Sequence, residues 1–393
     1  GSRLPLKGSP FRGRAPWAAS RASSGSRRAR CRAPEGQDGQ GLLRAMGAKL
    51  SKKDGPGKGA TSGPKRAGGA AAKVAKEKKN LNPADFLLSK RSGEAIIKEE
   101  GSIDGEQFNI EECKDCDIFL LDTIATAFVD ECENCRIFIG PTESSVFVRN
   151  CRSCDVMIAC QQFRSRDCED CRFALLCTTE PIIETSTNMQ FACFDFNYFT
   201  LRQQLSRAGL KIWNNKWWQV HDFNKKADRP NWSLFAQEEV KTMLRVSMCS
   251  ASITQDELDM ESIVPVTLGS RPWPTQESAF ILFLPDSDAY IEALLAKASR
   301  SETWCVARAR CCILPDDRLK TLFAWAKEPK VVASCKGQEI TGVQICGSGI
   351  AREVKEALTS TGLAMGSKSI RLVPQDEVEA LARAFFEVWK DEI

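Results

Sequence analysis

The chain has 393 residues, with 55 Lys/Arg, 51 Asp/Glu, 18 Cys and a single histidine. That length suffices for two domains plus tails, and one histidine excludes a His-rich metal site. No nucleophile motif stands near His221, so neither a Ser-His-Asp nor a Cys-His constellation is expected.

The net charge of +4 conceals a split: residues 1–80 carry 20 Lys/Arg against 4 Asp/Glu, leaving 35 against 47 for residues 81–393. Residues 1–80 are expected to form a disordered basic tail, because they cannot bury a core. Residues 1–45 read as a cloning remnant, a targeting peptide or translated upstream sequence, and the start signal at Met46 favours the last. Met46-Gly47-Ala48-Lys49-Leu50-Ser51 fits the N-myristoylation pattern, with Gly47 acylated if translation starts at Met46. One acyl chain anchors weakly, so a second signal is needed. The lysines from Lys52 and Lys53 to Lys78 and Lys79 supply one by attraction to an anionic leaflet. No aromatic residue interleaves with them, so nucleic acid is not an expected partner. No apolar run reaches the ~18 residues of a spanning helix.

Folded character begins near Asn82, and the period of the next stretch is its main signal. Cys113-x-x-Cys116, Cys132-x-x-Cys135, Cys151-x-x-Cys154 and Cys168-x-x-Cys171 recur at steps of 19, 19 and 17 residues. Short alternating runs such as Ala127-Phe128-Val129 and Val146-Phe147-Val148 lie between them. A period near 20 with strand-like alternation predicts a solenoid whose copies bury a core only when stacked. The same pairs match a zinc template, and both readings stay open. The solenoid period favours a structural ladder of small buried thiols. Gly140-Pro141 is expected to end a strand in the second rung. Trp213, Trp217, Trp218, Phe223 and Trp232 read as an end cap.

The solenoid domain is assigned to residues 82–235, a linker to 236–277 with a helix from Gln237 to Val246, and a second domain to 278–393. There Ala279–Leu284, Trp304–Ala307, Val331–Ala333 and Val343–Ile345 read as strands. Ser287–Ala298, Pro315–Lys327, Ile350–Thr361 and Asp376–Lys390 read as helices. The alternation predicts a compact α/β, ferredoxin-like domain.

Within the third rung lies Ala159-Cys160-Gln161-Gln162-Phe163-Arg164-Ser165-Arg166-Asp167-Cys168. Alternation puts Gln162 and Arg164 on one face, and Gln161 and Arg166 more nearly with Phe163. An arginine on a rigid strand is what a finger acting in trans needs, although a surface arginine is more often solvated or ion-paired. The chain has no G-x4-G-K-S/T and no G-x-G-x-x-G before a helix, so it is not expected to bind nucleotide itself.

The paired cysteines, Gly140-Pro141, Arg149-Asn150-Cys151-Arg152, the Gln161-to-Cys168 segment, Pro181-Ile182-Ile183-Glu184, His221-Asp222-Phe223 and Asn231-Trp232-Ser233 resemble the tubulin-folding cofactor C domain family. The resemblance is to its branch with a C-terminal nucleoside-diphosphate-kinase-like domain. It covers residues 86–235 closely and 278–393 loosely. It implies a right-handed parallel β-helix that activates the GTP-bound form of an Arf-like small GTPase of the type-3 subgroup, in the trafficking of lipidated membrane and ciliary proteins. By resemblance, Arg164 is the arginine finger and Gln161 supports it. Asn150, Arg166, Glu184 and Phe223 match positions that meet the GTPase or position the finger. No cofactor and no metal is implied. The family's acylated Gly-Cys start is Gly47-Ala48 here, which leaves the lysines as the second membrane signal. The second domain has no histidine, so a phosphohistidine relay is not expected. The implied location is the cytoplasmic face of membranes, the plasma membrane or a ciliary base. Tubulin folding, or a non-catalytic GTPase effector, is the alternative.

Overall fold

The computed structural model of the chain describes residues 82–226, 228–245, 260–360 and 369–386. The tail of residues 1–80 with Gly47, and the ends of the helices expected at Gln237–Val246, Ile350–Thr361 and Asp376–Lys390, lie outside or at the border of these residues.

Residues 87–234 wind into a parallel β-solenoid built on two ladders. The first stacks β1 (Leu87–Ser89), β3 (Phe108–Glu111), β5 (Ala127–Asp130), the later parts of β6 (Arg136–Arg149) and β7 (Asp155–Arg166), β9 (Ile182–Glu184) and β11 (His221–Asp222). The second stacks β2 (Ala95–Lys98), β4 (Asp117–Leu120), the early parts of β6 and β7, β8 (Arg172–Cys177), β10 (Met189–Cys193) and β12 (Trp232–Leu234).

The paired cysteines form the corner between the ladders. The residue before each cysteine has left-handed backbone: φ is 52° at Glu112, 56° at Glu131, 53° at Asn150 and 54° at Asp167, and 55°, 52°, 51° and 55° at Asp115, Asn134, Ser153 and Asp170. Two such residues three apart turn the chain sharply. Left-handed backbone costs an ordinary residue roughly 1–2 kcal/mol, and Asn and Asp tolerate it best. Each thiol then points inward and donates to a carbonyl two residues back: Cys113 to Glu111 at 3.5 Å, Cys132 to Asp130 at 3.4 Å, Cys116 to Lys114 at 3.2 Å, Cys135 to Glu133 at 3.4 Å. A cysteine therefore fills the core and satisfies a corner carbonyl at once. Ser186 takes the same place one rung on, donating to the Glu184 carbonyl at 2.9 Å. Successive corners are one strand spacing apart, about 4.8 Å. Among the described residues no three metal-ligating side chains converge.

Burial has a consequence in alkali. Cys193, fully buried in β10, has its thiol pushed up from 9.0 to about 12. Protonated thiol is thus favoured in the folded chain, so this contribution is complete below pH 9 and is lost as pH rises from 9 towards 12. The loss is about 1.4 kcal/mol per pH unit for the group. The urea midpoint is expected to fall steadily above pH 9, and Cys193→Ala to flatten that slope.

β6 does not end at Gly140-Pro141. It runs on to Arg149, with irregular register between Ile139 and Thr142 and between Thr142 and Ser145. Proline needs no ladder donor at such a bend, so the strand turns a corner and continues. The expected cap divides in three. Trp217 is wholly buried in the solenoid core, with Trp218 and Trp232 packed against it. Trp213 instead enters the core of the second domain, and Phe223 is 61% exposed.

The outer face of the second ladder, with Phe119, Phe138, Met157, Leu176 and Phe194, is covered by later chain. Tyr198, α1 (Leu201–Arg207), Phe235, α2 (Gln237–Val240), Met243 and Val264 lie on it. The stretch read as linker therefore folds back on the solenoid. Its Thr267 hydroxyl accepts the Trp217 indole N–H at 2.9 Å, and the next N–H, of Leu268, donates to Val306 at 2.9 Å.

The second domain is one antiparallel sheet with helices on both faces. In chain order it contains β13 (Ser278–Phe283), α3 (Asp288–Ser299), β14 (Cys305–Ile313), α4 (Asp316–Leu322), α5 (Pro329–Ser334), β15 (Glu339–Cys346), α6 (Ile350–Ser360), β16 (Ile370–Leu372) and α7 (Val378–Phe386). The sheet order is β14-β15-β13-β16. α3 and α6 pack on one face, α4 and α7 on the other. Val331–Ala333, expected as a strand, belongs to α5. Pro329 opens that helix with its backbone already preset, which outweighs two β-branched residues. Among the described residues no helix is long and apolar enough to cross a membrane.

Candidate functional site

The outward side chains of the first ladder form two columns. Asn109, Phe128, Phe147, Arg164, Ile182 and His221 are directly opposed in register. Beside them run Glu111, Asp130, Arg149, Arg166 and Glu184. Phe223 comes next, its N–H donating to the Ile183 carbonyl at 3.1 Å.

Arg164 sits near the middle of this face. Phe163 and Ser165, its neighbours in β7, are buried, so the strand is clamped from within and Arg164 points out, exposed. Arg166 is also exposed. It shares the face of Arg164 rather than that of Phe163, because the strand is regular from Gln162 onward and the bend lies before it. Ser145 donates to Gln162 Oε1 at 3.1 Å, one rung down.

The cations of the face have different partners. Arg149 grips Asp130 with Nε and Nη2, both at 2.6 Å. That carboxylate holds the Arg149 guanidinium above its ordinary pKa. The same guanidinium lies 5.4 Å from the Phe128 ring. Arg166 leans on its neighbour Asp167 at 3.3 Å. Arg164 forms no ion pair and no side-chain hydrogen bond among the described residues. Aromatic rings lie around it. Phe128 and Phe147 stack at 5.1 Å and 11°, and His221 meets Phe223 edge-on at 4.7 Å.

The structure thus brings Arg164, Arg166, Glu184 and Phe223 to one face. Asn150 is close by, at the left-handed corner just after Arg149, with its N–H donating to the Arg166 carbonyl at 3.0 Å. Gln161 stands apart. It is exposed in the middle of β7, on the bend, three residues or about 10 Å of extended chain from Arg164. Phe128, Phe147, the Asp130–Arg149 pair and the place of His221 were not foreseen from the residues. The 19-residue period holds the signal for the first three, since Phe128 and Phe147, like Asp130 and Arg149, are 19 apart.

An uncommitted guanidinium offers five N–H donors in a planar fork, matched to phosphate oxygens. With aromatic rings near it and a column of both charge signs beside it, the face suits a protein partner that carries a phosphate group near its surface.

Comparison with known proteins gives the same domain. Residues 105–223 match the family model described as tubulin binding cofactor C, so the chain carries a cofactor-C-like domain. Protein XRP2 of Danio rerio is 38% identical over 271 residues, covering 65% of this chain and 72% of that protein. Protein XRP2 of Gallus gallus is 42% identical over 212 residues, covering 53% and 59%. Among solved structures, tubulin binding cofactor C from Leishmania major covers 39% of this chain and 90% of that one, at 22% identity and a TM-score of 0.29.

Proposed function

This chain belongs to the XRP2 (retinitis pigmentosa 2 protein) family, and from that membership we propose that it is a GTPase-activating protein for an Arf-like small GTPase. The match spans 72% of the Danio rerio relative and 59% of the Gallus gallus one, and the activity is our reading of the site. The observation that carries it is the uncommitted state of Arg164 on a face where Arg149 and Arg166 are paired. In this reading the partner's bound GTP takes the guanidinium. Arg164 donates to oxygens of the β- and γ-phosphates as charge builds there in the transition state, and the partner's own glutamine orients water. Phe147, Ile182 and Phe223 supply apolar docking area beside the His221 ring, with Arg166, Glu184 and Asn150 on the rim. Gln161 supports the finger through the strand they share. Single-turnover GTP hydrolysis with wild type and Arg164→Ala tests this.

Membrane attachment through acylated Gly47 and the basic tail completes the proposal, with action at the cytoplasmic face of the plasma membrane or a ciliary base. Its readout is partition of the chain onto anionic vesicles with and without Gly47→Ala. We read the second domain as a ferredoxin-like relative of nucleoside diphosphate kinase, on its antiparallel order β14-β15-β13-β16. Without histidine it does not relay phosphate. A tubulin-folding role is the second reading, favoured by the cofactor C match at residues 105–223.

A further inference from the structure

The bend before Arg164 is held by groups that the finger reading does not use. Gln161 lies where β7 turns between its two ladders, and its carbonyl faces the next rung rather than a strand partner. Donors converge on that oxygen: the Thr179 N–H, the Thr178 Oγ1 and the Thr179 Oγ1, each at 3.0 Å, with the Cys177 thiol at 3.6 Å. One N–H satisfies an ordinary bend carbonyl. Two hydroxyls in addition fill the space around it and fix the plane of the Gln161–Gln162 peptide, which sets where the Gln161 side chain and the strand to Arg164 point.

The two threonines are themselves pinned. Cys177, just before them, donates its N–H to Asn215 Oδ1 at 2.9 Å and accepts the Lys216 N–H at 2.7 Å. Asn215 is buried, and its Nδ2 donates to the Leu175 carbonyl at 2.9 Å. The preceding residue, Asn214, accepts the Cys311 N–H of β14 at 3.3 Å, and Trp213 is buried in the second domain's core. A continuous run of contacts therefore leads from that core to the Gln161 bend.

We propose that Thr178 and Thr179 are positioning residues for Gln161 and Arg164, and that Asn215 anchors them and links the second domain to the finger. The proposal rests on the arginine-finger reading. It predicts a defect in rate and not in docking, because the hydroxyls lie at the bend, away from the Phe147–Ile182–Phe223 face. A displacement near 1 Å of a catalytic group can cost up to about 100-fold.

The test uses the full chain. Thr178→Val with Thr179→Val keeps shape and backbone but removes both hydroxyls; Thr178→Ser with Thr179→Ser keeps them. The valine pair is expected to lower the maximal single-turnover rate by about tenfold to about 100-fold. The concentration for half-maximal stimulation should stay unchanged, and the serine pair should restore the rate. An unchanged rate, a loss confined to half-saturation, or serine variants as impaired as valine would each overturn the proposal. Amide exchange supplies an arm that needs no GTPase. The valine pair should speed exchange of the N–H at position 179, which donates to the Gln161 carbonyl, while leaving the Phe223 N–H protected. If wild type stimulates no GTPase, the finger reading fails by itself, and exchange still decides whether the hydroxyls fix the bend. Slow exchange in the valine pair would refute that too.

Discussion

Arg164→Ala is expected to reduce stimulated GTP hydrolysis by about 10³–10⁵, the worth of an arginine finger, while the variant still binds the GTP form of an Arf-like GTPase of the type-3 subgroup. Both halves come from the place of the residue. The guanidinium is exposed and has no partner among the described residues, so its removal breaks no bond among them. Stability should change by no more than about 0.5 kcal/mol, as at an ordinary surface position. The docking area rests on Phe147, Ile182, His221 and Phe223, which the substitution leaves alone. What disappears is charge aimed at the transition state. Arg164→Lys should recover only a small part, since an ammonium lacks the planar fork. Binding without acceleration by wild type itself would make the chain an effector or scaffold. Failure of wild type to bind would turn attention to tubulin.

The solenoid was legible because its period is written in cysteines. Two rungs escaped for the same reason: the corner position holds Arg91 in the rung before Cys113 and Ser186 in the rung after Cys168, although bridges from Ser92 to Lys114 and from Glu169 to Thr187 show them in line. The left-handed residues before each cysteine were visible only as a taste for Asp, Asn and Glu. Their backbone angle is a property of the stack, where each corner N–H finds the carbonyl of a neighbouring rung. Arg164, Arg166, Glu184 and Phe223 lie on one face of the solenoid, whereas setting Arg166 beside Phe163 was a miscount, because two residues of strand return to the face of Arg164. What sequence could not give was commitment. Nothing in the residue order says that Arg149 is spent on Asp130 while Arg164 has no partner among the described residues, because that depends on which side chains meet across rungs. The second domain shows the opposite failure. Val331-Val332 looked like a strand on local propensity, and Pro329 decided otherwise.

Gly140→Ala is expected to destabilise the solenoid by at least about 3 kcal/mol, the upper end of ordinary overpacking costs. A methyl placed there would lie 2.3 Å from the Asp122 carbonyl oxygen and 2.7 Å from that of Leu120. Both are backbone atoms, so no rotamer change relieves the contact. Asp122 cannot retreat either. Its carboxylate is buried and accepts the N–H groups of Ile103, Asp104 and Thr123, each at 2.8 Å. Asp122 is thus the fixed post around which the rung bends, and Gly140 is the only kind of residue that passes it. At roughly 2–4 °C per kcal/mol for a domain of this size, the melting temperature should drop by roughly 6–12 °C. Gly337→Ala separates clash from backbone preference: its φ is +66° but nothing lies within 4 Å of the new methyl, so it should cost only roughly 1–2 kcal/mol. Equal melting shifts in the two variants would mean that the close approach at Gly140 is not what holds the rung. If the shifts differ as expected, the bend at Gly140 is a condition for the site itself. The later part of β6, beyond Gly140, carries Ser145, Phe147 and Arg149, on which Gln162, Arg164 and Arg166 are stacked in register. A chain that cannot pass Asp122 cannot lay the rung that supports the finger.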